Sequence, residues 1–164
     1  MTDDKRIRDD SRVNVKIVLS GLWGSLLFVF AYVDIFGFWR ADVIKGALNG
    51  VVPGAGAAID QRFLILTTLY ILLPSLMISF SLMTPTKFNR PVNIVVSVLY
   101  AVSVVASSVG ETWAYYVVGS SVEVVLLLAV AGVAWFWPTA EHPRAATETV
   151  QVDSVDREHL PQNS

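Results

Sequence analysis

The chain has 164 residues, 54% of them hydrophobic and 16% charged, with a net charge of −2 and a mean hydropathy of +0.55. Soluble domains carry about a quarter charged residues, so the composition points away from a soluble globular protein. With no basic patch to neutralise phosphates, it also points away from a nucleic-acid partner. There are no cysteines, which removes disulfides, thiol redox chemistry and cysteine lipidation. The length leaves room for one membrane domain and no second globular domain.

Residues 1–14 are polar and charged and read as a solvated arm. The first span follows at about 15–39. It is too long for a signal-peptide core and no small-residue cleavage site follows it, so it is expected to be retained. Residues 40–62 form the longest loop. In DVIKGALNGVV, Val43, Ile44, Ala47, Leu48 and Val51 fall on one helical face, which predicts a short amphipathic helix on the membrane surface. PGAGA at 53–57 then gives a turn. The second span is about 63–83, with Pro74 at its middle, where it removes a helical hydrogen bond and should kink the helix. The third is about 92–110, opened by Pro91, and the fourth about 113–137, stopped by Pro138. Each is long enough to cross the hydrocarbon, and none alternates as a barrel strand would. Residues 138–164 are polar and are expected to be a disordered tail. The expected fold is therefore all-α: a polytopic bundle of four transmembrane helices in a lipid bilayer.

Orientation follows from the basic residues. Lys5, Arg6, Arg8, Arg12, Lys16, Lys87, Arg90 and Arg144 lie on one side, against Arg40, Lys45 and Arg62 on the other. The expected arrangement is a plasma-membrane protein with both termini cytoplasmic and the long loop outside.

The segments LSGLW at 19–23, YVDIF at 32–36 and VEVVLLL at 122–128 resemble a family of small prokaryotic four-helix membrane proteins, a domain of unknown function. The resemblance covers about 15–137. It implies the four-helix layout and draws interest to the acidic positions, and it supplies no activity.

Two carboxyl groups lie inside the spans, where a charge costs several kcal/mol and usually faces the bundle interior or a wet cavity. Glu123 is ten residues past Trp113, roughly 15 Å deep and near the midplane; Asp34 is five residues before Trp39, roughly 7–8 Å below the outer surface. Tyr100 sits at the depth of Glu123 and is its expected hydrogen-bond partner. Tyr32 and Tyr70 are each roughly 10 Å deep. Asn93, Ser97, Tyr100 and Ser107 share one face of the third helix. Tyr116, Gly119, Ser120 and Glu123 share one of the fourth, and Ser20, Trp23, Phe30 and Asp34 one of the first. Facing each other, these stripes would make a polar seam running outward from the midplane, with Glu123, Asp34, Tyr100, Tyr32, Tyr70, Ser107 and Tyr116 as candidate ligand-binding residues. Ser and Gly at such spacing are routine in helix packing, whereas packing does not call for a carboxyl at the midplane. Arg40 or Arg62 could reach Asp34 as an ordinary ion pair.

The two histidines, His142 and His159, lie in the tail, so the acids lack partners for a zinc site. No cofactor motif, phosphate loop or nucleophile elbow is present, and no cofactor or metal is expected. Three readings remain. The first is binding or transport of a cation, a proton or a small amphipathic ligand from the outer side; because four helices make a thin bundle, transport would call for a homodimer. The second is an accessory protein whose polar residues fix assembly. The third is an enzyme acting on a lipid or quinone through Glu123, and it has the least support.

Overall fold

A computed structural model describes residues 14–137; the expectations for the tail, and for all of the arm but Asn14, fall outside them. Within this range the chain forms α1 (Val15–Gly37), α2 (Ala41–Leu48), α3 (Gln61–Met83), α4 (Thr86–Ser108) and α5 (Ala114–Trp135). The four long helices have 22 or 23 residues, about 33–35 Å at 1.5 Å per residue, against a hydrocarbon thickness of about 30 Å. All four are long and apolar enough to cross a membrane. The chain is an all-α, multi-pass membrane protein.

Side chains start two of the helices. The Asn14 carboxamide accepts the Lys16 N–H at 3.0 Å, and the Asp60 carboxylate accepts the Phe63 N–H at 2.9 Å, each satisfying one donor of an open first turn. α4 departs from the sequence-based expectation. It begins at Thr86 with Pro85 as its cap, so Pro91 lies inside the helix and does not open it. The Asn89 amide explains the earlier start. It donates back to Ser81 O at 2.6 Å and Thr84 O at 3.4 Å, closing a tight turn between α3 and α4. Pro91 deprives only the carbonyl of Lys87, near the helix end.

α1 is the hub: it packs against α3 and α5, α5 packs against α4, and α3 and α4 approach each other far less closely. The buried face of α1, Leu19, Trp23, Leu26 and Phe30, repeats at helical spacing. It meets Met77, Tyr100, Val104, Leu127 and Val130. Gly119 lets α5 lie directly on Val33 of α1, since any Cβ there would collide with the valine; small residues serve this purpose in membranes.

Nearer the α3–α4 turn the core is polar. The Trp23 indole donates to Asn93 Oδ1 at 2.7 Å, and the Ser81 hydroxyl donates to the same oxygen at 3.2 Å. The Asn93 amide donates to Asn89 O and Oδ1 at 2.9 and 2.6 Å. Ser81, Asn89 and Asn93 are fully buried. This network joins α1, α3 and α4, and its members satisfy one another, as burial away from water demands.

At the other end, α3 behaves differently. Pro74, Met77 and Ser81 are buried, while none of residues 61–73 is. The bundle is therefore sealed below Pro74 and open above it, at the end that carries α2. α2 itself is exposed along its length. The loop after it folds back through a bridge between Val51 and Ala58. Gly46 is required there, because a Cβ would lie 2.6 Å from Pro53.

Candidate intramembrane acidic site

Pro74 has a direct consequence one turn earlier in α3. Lacking an N–H, it leaves the carbonyl of Tyr70 without its helical partner. The Tyr100 hydroxyl of α4 donates to that carbonyl at 2.5 Å. In return, the Tyr70 hydroxyl bonds Ser103 Oγ at 2.7 Å, and Ser103 donates to the Tyr100 carbonyl at 2.8 Å. Each tyrosine thus ties its side chain to the other's backbone. Their rings lie 4.7 Å apart, and Phe30 and Trp23 extend the stack at 6.3 Å from Tyr70 and 6.4 Å from Tyr100. An aromatic wall closes the floor of the open half.

This corrects the expected pairing of Tyr100 with Glu123. Sequence arithmetic sets the two at one depth, but the tyrosine is claimed by the carbonyl that Pro74 freed. Glu123 makes no hydrogen bond among the described residues, although it is only 4% exposed. Its oxygens are not sealed in, because no fully enclosed side-chain oxygen or nitrogen among those residues lacks a partner. The carboxyl therefore opens onto accessible space. It lies close enough to Asp34 to feel its charge, and Tyr70 feels Glu123, Tyr116 and Asp34 together.

Asp34 is exposed on α1, one turn beyond Phe30. Arg40 and Arg62, which the sequence set within reach of it, form no ion pair with it. Arg40 instead bonds Asp42 at 2.6 Å and Glu111 at 3.1 Å and lies 4.8 Å over the Trp113 ring. Glu111 also accepts the N–H groups of Thr112 and Trp113 at 3.0 and 3.2 Å. These bonds draw the guanidinium across to the α4–α5 turn and away from the carboxyl below it. Burial pushes the Glu111 carboxyl up, but Arg40 and the two backbone donors outweigh it and hold it below its ordinary value.

The other expected site residues divide. Tyr116 donates to Ser107 Oγ at 3.4 Å, and Ser107 donates to Val104 O at 2.9 Å, so this pair links α5 to α4 at the rim. Tyr32 stands apart. It is two positions from Asp34, about 200° around the helix, and its exposed ring packs on Phe36 at 6.1 Å. Ser103 was missed by sequence reasoning; its signal was its place three residues after Tyr100 on the same face. A groove of about 420 Å³ between α4 and α5, lined by residues such as Val105, Ser108, Val117 and Ser120, has neither acid in its wall and is separate from this site.

Fold and geometry together define a four-helix multi-pass membrane protein with two carboxyl groups, Asp34 and Glu123, inside its long apolar helices. The chain belongs to DUF6326, a family of unknown function, whose model matches residues 9–142. Comparison with curated proteins and with solved structures returned no match.

Proposed function

We propose that this protein binds a cationic ligand in the acidic cleft between α1, α3 and α5, and that a second copy completes a path for its transport. The observation that carries the reading is Glu123: a buried intramembrane carboxyl with no hydrogen bond among the described residues, open to accessible space and beside a second carboxyl. Such a group is costly to hold in a bilayer, and packing alone gives no return for it. A cation entering the cleft would supply the missing counter-charge, and a proton would take its place when the site is empty. With the orientation set by the basic residues, the cleft faces outward and the chain lies in the plasma membrane with both ends in the cytoplasm.

The assembly reading fits the Trp23–Asn93–Asn89–Ser81 network, which is complete within the chain. Glu123 is the opposite case, an unsatisfied group. Glu123→Gln keeps the shape and cannot release a proton, so it separates the two. In weakly buffered detergent solution with a pH dye, sodium, magnesium, tetraethylammonium and tetraphenylphosphonium are added in turn. The parent chain should release protons on binding one of them. The Gln variant should fold and assemble as the parent does and release none. A Gln variant that releases protons like the parent, or that loses its oligomeric state, would remove the proposal.

A further inference from the structure

Resting on that reading, we propose that the cleft takes a bulky organic monocation, such as a quaternary ammonium or phosphonium ion, and not a metal ion. The hydroxyls of Tyr70, Tyr100 and Tyr116 all point at partners within the protein. Tyr100 gives its hydroxyl to the Tyr70 carbonyl, Tyr70 gives its own to Ser103, and Tyr116 gives its own to Ser107. All three are engaged within the protein. Their protons are spent and their rings are held in place, so what the tyrosines present to a ligand is chiefly ring surface.

Tyr70 is 38% exposed, its ring stacked on Tyr100 at 4.7 Å and near Phe30 at 6.3 Å. It stands within the electrostatic reach of both Glu123 and Asp34. A hard cation needs about six or more oxygen ligands in a tight shell. Among the described residues no three acidic, histidine or cysteine side chains come together. A diffuse organic cation asks for something else: a counter-charge at moderate distance and aromatic faces, whose quadrupoles attract it. The apolar flanks of such an ion also suit a cleft that opens within the bilayer's thickness.

Calorimetric titration of the purified chain with benzyltrimethylammonium tests this, with its neutral carbon isostere neopentylbenzene, sodium and magnesium as comparisons. The ammonium ion should bind the parent and the neutral isostere should not. Glu123→Gln should weaken binding by about tenfold or more, as loss of the counter-charge requires. Tyr70→Phe, which keeps the ring, should bind nearly as the parent does, and Tyr70→Leu should not. If Tyr70→Leu fails to fold, the comparison of charged and neutral ligands on the parent chain decides alone. Equal loss in Tyr70→Phe and Tyr70→Leu, or equal binding of the neutral isostere, overturns the organic-cation assignment. Glu123-dependent binding of sodium or magnesium without the ammonium ion overturns it too, while leaving the acidic site standing. No Glu123-dependent binding of any cation sinks both.

Discussion

The Tyr70 carbonyl, orphaned by Pro74 and taken up by Tyr100 at 2.5 Å, makes two residues on different helices depend on each other. An unsatisfied buried carbonyl costs about 1–3 kcal/mol. Tyr100→Phe should destabilise the parent by about that amount. In a Pro74→Ala background, position 74 regains its N–H and the carbonyl its helical partner, so the same change should cost about 1 kcal/mol less. Unfolding the four variants in mixed micelles measures the coupling, and simple additivity would contradict it. Sequence arithmetic of 1.5 Å per residue placed Tyr100 and Glu123 at one height, but height is not azimuth. Which neighbour a side chain meets depends on helix rotation, and the vacancy left by Pro74 lies on another helix. The same limit explains Asp34: the sequence put Arg40 within reach, and Asp42 and Glu111 claimed it.

The four spans were legible because a bilayer demands about 20 apolar residues per crossing. The start of α4 was not, because residues 86–91 are polar enough to read as loop and only the Asn89 bonds to α3 show why they are helical. The amphipathic pattern of α2 was also legible, but its tether was not. Arg40 pins the entry of α2 to Glu111 on the α4–α5 turn, a pair about 70 residues apart in sequence. Because the folded Glu111 carboxyl lies below its ordinary value of 4.5, the tether's contribution is fully present above that pH. It is lost as pH falls through the lower, folded value. Partly exposed pairs contribute up to about 1 kcal/mol, so the bundle should survive the loss. Hydrogen exchange along α2 should be unchanged from pH 8 to 5 after correction for intrinsic rates, and rise below 4.5. In Glu111→Gln it should be raised throughout. Faster exchange at neutral pH than at pH 5 in the parent would contradict the tether.

At the scale of the molecule, the bundle is closed at one end by a satisfied polar network and open at the other, where residues 61–73 of α3 hold no buried position. The four-helix layout could be read from the sequence; that α3 holds buried positions only from Pro74 onward could not. In the proposed site Glu123, although buried, faces water and not lipid. The cysteine-free chain allows a direct measurement. Glu123→Cys and Val125→Cys are each treated in intact cells with a small, charged, membrane-impermeant thiol reagent. Position 125 is 64% exposed on the same helix, about 200° around it from Glu123, on a face expected to meet hydrocarbon, where a thiolate does not form. Labelling is expected at 123 and not at 125; labelling at 125 alone, or equal labelling at both, would place Glu123 against lipid.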